Sequence, residues 1–252
     1  MSIRKTIYIV RHGQGQHNGN SQVKDPILTP IGRAQCQALR ALFLHHNDVQ
    51  IVMASALRRT IQTAATAFAP TLAHPEVPFL LVPLAQEISD KPCDVGTNPK
   101  DLQAEMDQVM EEVDIKFKHE GRIDYSLLEE GWNSKEGIYE ASLEAVTKRA
   151  AAMRKWLFQR PESVIVLVTH GAFIHHLTED WTGLVPPKGK FANNTNLAGT
   201  VYKACEFRGF TFDETSTEDE PRLIEIGGTN RQAIRPLGAH ARDIKGVEAD
   251  FS

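Results

Sequence analysis

The amino-acid sequence predicts an α/β fold of three layers, α/β/α, in which helices cover both faces of a mostly parallel sheet. Short apolar runs rich in β-branched residues alternate with segments of helical periodicity along the 252 residues. Two of these runs, residues 7–10 and 164–169, are followed by a histidine and a glycine, at 12–13 and 170–171. Ligands of open α/β sheets bind at the carboxyl ends of the strands. A functional site that contains both histidines is therefore predicted at that edge.

The composition restricts the possible function classes. With 41% hydrophobic and 24% charged residues, the chain is typical of a globular protein and suits one domain over residues 1–252. The net charge of −4 argues against general nucleic-acid binding, which needs a basic face. No stretch approaches the ~18 apolar residues of a membrane span, and the N-terminus lacks a signal-peptide pattern. The scattered, odd set of cysteines, Cys36, Cys93 and Cys205, disfavours a disulfide framework and indicates a cytoplasmic location.

The other strands and the first helix are predicted from local sequence patterns. Residues 13–27 are polar and rich in glycine and asparagine, and predict a loop. Thr29 suits the N-cap of a helix and Pro30 its first position, and the helical pattern ends near residues 45–47. The remaining strands are predicted over residues 49–54, 78–82, 200–207 and 223–226.

The second helix begins with an unusual charge pattern. Ser55 is predicted to cap it, and Arg58 and Arg59 follow in its first turn. Cations are disfavoured at the positive end of a helix, where backbone N–H groups attract anions. We therefore expect one of the two arginines to serve a ligand, although both could simply be solvated.

The middle of the chain contains a segment of different character. Residues 89–136 lose the strand pattern and predict a helical insertion or lid, with an amphipathic acidic helix over 102–118. Helices are predicted over 140–159 and 172–181. Residues 186–196 predict a loop, and from residue 227 to 252 the pattern fades into a mobile tail.

Other kinds of site fit the histidine pair less well. His17, His175 and His176 lie near it in the sequence, but none of the spacings typical of zinc ligands occurs, so no metal is predicted. The glycines after the first strand lack the third glycine of a dinucleotide fingerprint, and no P-loop sequence follows. An anion site built from two histidines and an arginine remains, without a cofactor.

The complete set of motifs resembles the histidine phosphatase superfamily, in its phosphoglycerate-mutase-like branch. The resemblance covers roughly residues 5 to 205. It rests on Arg11-His12-Gly13, Asn18, Leu28-Thr29-x-x-Gly32, Ser55-x-Leu57-x-Arg59-x-x-Gln62-Thr63, Glu87 after the third strand and His170-Gly171.

The resemblance implies a role for each matching residue. His12 would be the nucleophile that forms a phosphohistidine, with its other ring nitrogen donating to a backbone carbonyl. Arg11, Arg59 and His170 would surround the phosphoryl oxygens. Glu87 would protonate the leaving oxygen and then deprotonate the attacking water. Such chemistry needs no metal, because the positive groups stabilise the transition state.

Further residues are assigned to the phosphate by the same resemblance. Asn18 would donate to it, and Gln14 and Gly171, which flank the two histidines, are added as phosphate-binding candidates. The family's arginine matches Arg59, which leaves Arg58 structural or peripheral.

The chain also departs from the family pattern. Gln14 replaces a frequent glutamate, Ala56 a common proline, and His17 stands where glycolytic mutases have tryptophan. Residues 89–94 differ from the pattern usual after the glutamate. The form Arg-His-Gly-Gln-Gly-x-His-Asn looks more like fungal, phosphatase-like members.

These observations predict a metal-independent phosphatase that acts on a small phosphorylated metabolite. Two alternatives stay open: a phosphomutase of the phosphoglycerate type, and a non-catalytic phosphate-binding module. A mutase usually needs extra cations in its lid, whereas residues 88–120 contain no arginine, which favours the phosphatase. The substrate and the oligomeric state are left undetermined.

Overall fold

Seven strands form one sheet in the part of the chain that the computed structural model describes, residues 5–17, 21–111, 113, 119–182 and 201–227. Their order is β4-β3-β2-β5-β1-β6-β7. The strands from β4 to β1 are parallel, while β6 and β7 are antiparallel, which confirms the mostly parallel sheet. The strands are β1 Thr6–Arg11, β2 Ile51–Ala54, β3 Phe79–Leu81, β4 Ile123–Asp124, β5 Val164–Thr169, β6 Phe207–Phe212 and β7 Leu223–Glu225.

Helices cover both faces of this sheet, as predicted. The helices are α1 Pro30–Leu42, α2 Arg58–Ala67, α3 Ala69–Leu72, α4 Pro99–Ala104, α5 Met106–Glu111, α6 Leu143–Gln159 and α7 Gly171–Thr178. Because side chains alternate along a strand, Tyr8 and Val10 of β1 join the apolar cluster that contains α1 and α2. Ile7 and Ile9 join the cluster on the opposite face, which contains α6 and α7.

The strand register brings the predicted site residues to one level. Arg11 at the end of β1 pairs with Thr169 at the end of β5, so His12 and His170 leave adjacent parallel strands side by side. The backbone N–H of His12 donates to the carbonyl of Thr169 at 3.0 Å. On the other side of β5, Ser55 leaves β2 and its N–H donates to the carbonyl of Val168 at 2.9 Å.

The two predicted helix caps have different outcomes. Thr29 caps α1 and its hydroxyl accepts from the N–H of Gly32 at 3.0 Å, which confirms the prediction. The prediction that Ser55 caps α2 is wrong, because α2 begins later and its N-cap, Leu57, makes no side-chain hydrogen bond. The hydroxyl of Ser55 lies instead 2.9 Å from Nε2 of His170.

The insertion is more closely tied to the sheet than its sequence indicates. Strand β4 lies within it and pairs with β3, which corrects the prediction that residues 89–136 lack strands. The predicted helix over 102–118 is divided into α4 and α5, and residues 112 and 114–118 lie outside the described residues. Trp132 is buried in the cluster on the α1 and α2 face.

The segment before β6 differs from the prediction of a strand over 200–207. The strand begins at Phe207, because residues 201–206 form a turn in which Cys205 has a φ of 59°. The N–H of Cys205 donates to the carbonyl of Arg11 at 3.1 Å and so closes this turn onto the end of β1. The predicted loop over 186–196, and all of the predicted tail after residue 227, lie outside the described residues.

Among the described residues, we find no helix with the length and apolar character needed to cross a membrane.

Candidate active site

The ring of His12 is buried and held by its own loop. Its Nδ1 lies 2.6 Å from the carbonyl of Gly13, and this contact identifies Nδ1 as the protonated nitrogen. Nε2 then carries the lone pair, and Nε of Arg59 donates to it at 3.3 Å. Desolvation lowers the pKa of His12 well below its usual value, and the charges of Arg59 and Arg11 lower the pKa further. The imidazole is therefore neutral, with its unprotonated nitrogen facing a guanidinium.

The loop that carries His12 depends on close packing against α1. A Cβ atom on Gly13 would lie 2.8 Å from the carbonyl oxygen of Gly32 and 3.1 Å from Sγ of Cys36. A Cβ on Gly32 would lie 2.1 Å from the carbonyl oxygen of Gln14. Only glycine allows the backbones to approach so closely, which explains the glycines in the motifs at both positions.

Arg59 is the centre of the polar network. It lies in the first turn of α2 with its side chain 1% exposed, and its guanidinium contacts four groups. Beyond His12, Nη2 lies 3.0 Å from Nδ1 of His170 and 2.8 Å from Oδ1 of Asp94, and Nη1 donates to the carbonyl of Cys93 at 2.7 Å. The expectation that Arg59 serves the ligand and Arg58 does not is compatible with this arrangement. The side chain of Arg58 is turned away from the network and pairs with Glu105 at 2.6 Å.

His170 completes the pair of histidines. Its ring centroid lies 5.1 Å from that of His12, at an interplanar angle of 61°. Since Arg59 donates to Nδ1, the proton of the neutral ring is on Nε2, which donates to the hydroxyl of Ser55. Burial lowers the pKa of His170 well below its usual value, and the charge of Arg59 lowers it further. Sequence reasoning missed this role of Ser55.

Arg11 lies on the other side of the pocket. Its Nη1 donates to the carbonyl of Tyr202 at 2.5 Å, while its buried Nε has no hydrogen-bond partner among the described residues. Desolvation lowers the pKa of Arg11, which the nearby Glu87 partly offsets. The side chain therefore has a donor left for an anion.

The remaining phosphate-binding candidates are less central. The side-chain oxygen of Gln14 accepts from the hydroxyl of Thr29 at 2.8 Å, so this end of the amide holds the loop to α1. Gly171 is the first residue of α7, directly after His170. Asn18 lies outside the described residues.

Glu87 lies at the amino end of α7, as its place after β3 predicts. Its Oε1 accepts from the N–H groups of Ile88 at 3.0 Å and Phe173 at 3.1 Å, and its Oε2 from that of Ala172 at 3.4 Å. Burial raises the pKa of the Glu87 carboxyl, and the nearby charge of Asp94 raises it further, while these N–H groups lower it. A raised pKa favours the protonated form of the carboxyl group, which is the form that a general acid needs.

Asp94 is a site residue that sequence reasoning missed. It belongs to a short 3-10 turn at the start of the insertion, and its Oδ2 accepts from the hydroxyl of Ser89 at 2.5 Å. Both residues lie in the segment that departs from the family pattern. The departure from the family pattern indicates that this segment is unusual. Nothing in the local sequence, however, indicates that Asp94 contacts Arg59.

Sequence reasoning also missed two cations, Arg149 and Lys135, that contact the segment before Glu87. Arg149 of α6 donates to the carbonyls of Leu84 at 2.9 Å and Gln86 at 2.6 Å, and its guanidinium lies 4.5 Å from the ring centroid of Phe173. Lys135, from the insertion, donates to Oε1 of Gln86 at 2.7 Å. These two cations fix the segment that carries Glu87.

The other histidines that follow the motifs have different surroundings. His17 faces the pocket, with its ring centroid 5.7 Å from that of His12, and burial lowers its pKa to about 4. His175 and His176 pack against Trp181, as predicted for core residues. Among the described residues, no three His, Cys, Asp or Glu side chains are placed to share a metal ion.

Two relatives of known classification match most of the chain. The chain is 30% identical over 205 residues to a probable phosphatase of Schizosaccharomyces pombe, covering 75% of this chain and 87% of that protein. It is 30% identical over 217 residues to a phosphoglycerate mutase-like protein of Arabidopsis thaliana, covering 69% and 73%.

A solved structure shows the same fold at low identity. The ecdysone phosphate phosphatase of Bombyx mori, in complex with tungstate, superposes with a TM-score of 0.53 at 14% identity, covering 94% of this chain and 97% of that one. The model of the histidine phosphatase superfamily, branch 1, matches residues 7–213, which include most of β1, both His12 and His170, and all of β6. The chain therefore belongs to branch 1 of the histidine phosphatase superfamily.

Proposed function

We propose that this chain is a phosphatase that hydrolyses the phosphomonoester of a small metabolite through a phosphohistidine at Nε2 of His12, without a metal. The observation that carries the proposal is the state of His12. Its Nδ1 is held by the carbonyl of Gly13, so the lone pair is on Nε2, which lies beside Arg59 and His170. The phosphatase name of the fungal relative supports the same class of reaction.

In the first step, Nε2 of His12 attacks phosphorus and the bond from phosphorus to the ester oxygen breaks. Arg59, Arg11 and His170 donate to the phosphoryl oxygens and stabilise the charge spread over them in the transition state. Glu87 gives its proton to the leaving oxygen, and the product is an alcohol. The phosphorylated imidazole keeps its Nδ1 proton on the carbonyl of Gly13.

In the second step, water attacks phosphorus in line with the bond to Nε2. Glu87, now a carboxylate, accepts a proton from that water, and the bond between phosphorus and nitrogen breaks. Inorganic phosphate leaves, and both His12 and Glu87 return to their starting protonation states. The same carboxyl group thus acts first as acid and then as base.

The proposal is tested by phosphate release from p-nitrophenyl phosphate in excess EDTA. Wild type should release phosphate, and His12→Ala should lose at least about 10³-fold of that rate, since the nucleophile is gone. His45→Ala, at an exposed histidine outside the pocket, is the matched control. Wild type quenched in alkaline detergent should contain a base-stable, acid-labile phosphoryl group that His12→Ala lacks. His12→Ala activity within tenfold of wild type would contradict the nucleophile assignment, and binding of phosphate without turnover by wild type would favour the binding module.

A phosphomutase is the second candidate, and the name of the Arabidopsis relative, a phosphoglycerate mutase-like protein, is the observation that favours it. His12, Arg59 and Glu87 would serve both reactions, but a mutase must also hold a second phosphate. Transfer of the phosphoryl group from a phosphorylated enzyme to a monophosphate acceptor, faster than to water, would select the mutase.

The cytoplasmic location stays a prediction. The three cysteines are free thiols in the structure, which is compatible with a reducing compartment.

A further inference from the structure

Lys135 makes two hydrogen bonds to the segment that carries Glu87. Its Nζ donates to the side-chain oxygen of Gln86 at 2.7 Å and to the carbonyl of Glu87 itself at 3.2 Å. The amide nitrogen of Gln86 in turn donates to the carbonyl of Trp132 at 2.8 Å. Lys135 has a φ of 59°, in the left-handed region that non-glycine residues seldom adopt. The backbone of the insertion is therefore bent at the point from which this side chain reaches Glu87.

A purely structural anchor would not need a charge at this position. Both acceptors of Lys135 are neutral oxygens, and burying an ammonium group is costly unless negative groups compensate for it. The compensating charges are that of Asp94 and, once Glu87 has given up its proton, that of Glu87; both favour the protonated lysine. Arg149 of α6 and Arg59 of α2 face the lysine as like charges, and its charge also acts on His170.

The reaction makes this charge useful at one particular stage. Once Glu87 has given its proton to the leaving oxygen, its negative charge is added to that of Asp94, which acts on Glu87 from its place beside Arg59. A cation whose charge acts on both carboxylates stabilises that arrangement and so favours proton donation. It also keeps Glu87 ionised, as it must be to accept a proton from water.

We propose that Lys135 is a positioning residue for the acid–base step: it fixes the Glu87 segment and offsets the negative charge of Glu87 and Asp94 after proton donation. This proposal rests on the proposed phosphatase function. Lys135 keeps its own proton throughout, so the proton balance of both steps is unchanged.

The proposal has a consequence for the dependence of activity on pH. Desolvation, together with the charge of Arg149, lowers the pKa of Lys135 to about 8, while the charges of Asp94 and Glu87 oppose this shift. The ammonium is therefore present below about pH 8 and is lost above it. In wild type, kcat/KM for an alkyl phosphate should show a fall centred near pH 8, in addition to the fall that ionisation of Glu87 causes.

Three variants test the assignment. With Lys135→Met, kcat/KM should fall by about tenfold or more for an alkyl phosphate, and by less than about threefold for p-nitrophenyl phosphate, whose leaving oxygen needs little protonation. With Lys135→Arg, most of the activity should return and the fall near pH 8 should move to higher pH, because a guanidinium keeps its charge. Lys148→Met, at an exposed lysine of α6 that pairs with Glu144, should match wild type on both substrates.

The outcomes separate this assignment from the proposed function. Wild type that releases phosphate, with Lys135→Met equal to it on both substrates, would overturn the role of Lys135 and leave the phosphatase intact. Equal slowing on both substrates would also overturn it, because a structural lesion does not select by leaving group. Absence of phosphate release by wild type from every phosphomonoester would refute the phosphatase and this role together. If Lys135→Met does not fold, the pH profile of Lys135→Arg provides the test. The fall of kcat/KM near pH 8 should move to higher pH in this variant, and a fall that stays near pH 8 would overturn the role of Lys135.

Discussion

The carboxylate of Asp94 lies 2.8 Å from Nη2 of Arg59, in the pocket where Nε of the same guanidinium donates to His12. The pair is almost fully buried, with side-chain exposures of 1% for Arg59 and 9% for Asp94. A negative group thus orients the arginine that is proposed to bind phosphate. The same negative charge raises the pKa of Glu87.

Asp94→Asn should move the pH dependence of catalysis. The amide oxygen can still accept from Arg59, but the charge that raises the pKa of Glu87 is gone, so that pKa falls. The fall of kcat/KM for an alkyl phosphate caused by ionisation of Glu87 should shift to lower pH, by about half a unit or more. Asp90→Asn, on an exposed neighbour in the same turn region, is the control. A profile identical to that of wild type would contradict the coupling of the two carboxylates.

Glu87→Gln should separate substrates by their leaving groups. The amide cannot donate a carboxylic proton to the leaving oxygen, so kcat/KM for an alkyl phosphate should fall about 10²-fold or more. Aryl phosphates, which leave as stabilised phenolates, should be much less affected. Steady-state assays with both substrates measure the difference, and equal losses would rule out the acid role.

Ser55→Ala should weaken both stability and catalysis. The substitution leaves the buried Nε2–H of His170 without its acceptor at 2.9 Å, which should lower the free energy of unfolding by about 1–3 kcal/mol. The freed ring can turn away from Arg59, so kcat/KM should fall as well. Urea denaturation and phosphate-release assays provide the two measurements, beside Ser126→Ala at an exposed serine. Stability equal to that of wild type would show that the ring finds another acceptor.

His176 should make the folded state sensitive to mild acid. Burial, together with the charge of Arg149, lowers its pKa from 6.5 to about 4 in the folded protein. Between these two values the unfolded chain binds a proton that the folded chain does not, so the free energy of unfolding decreases as pH falls from about 6.5 to 4. Its contribution to the slope reaches about 1.4 kcal/mol per pH unit.

His176→Phe should therefore flatten that slope. Urea denaturation at several pH values between 4 and 7 measures it, with His74→Phe at an exposed histidine as control. A slope unchanged by His176→Phe would mean that this histidine is protonated in the folded protein as readily as in the unfolded chain.

The parts of the fold that the sequence predicts are those set by neighbouring residues. The apolar runs of β1 and β5 end in histidines, and because parallel strands share an edge, the meeting of His12 and His170 follows from the pattern alone. Thr29 and Pro30 likewise mark the start of α1 locally. The site roles of Glu87 and Arg59 needed the resemblance to a family, since a glutamate after a strand and an arginine in a first turn are common.

The parts that sequence reasoning missed depend on contacts between distant segments. Ser55 has the chemistry of a helix cap, and only its position beside β5 makes it the acceptor for His170. Asp94 and Lys135 lie in polar stretches without periodicity, and their partners Arg59 and Glu87 are 35 and 48 residues away in the chain. Cys36 and Cys205, 169 residues apart, approach within 3.6 Å only because the turn before β6 closes onto β1.

Two charged contacts of the insertion, from Asp94 to Arg59 and from Lys135 to the Glu87 carbonyl, limit how its sequence can diverge. Segments of this kind are natural places for substrate preference to change, since loops vary more readily than the strands that hold them. Here an exchange of residues 89–136 for the equivalent segment of a relative would also remove the carboxylate on Arg59 and the ammonium beside Glu87. A chimera would need both charges restored before its new specificity could be measured. Under the proposed function, a change of specificity made in this segment would therefore also change the catalytic rate.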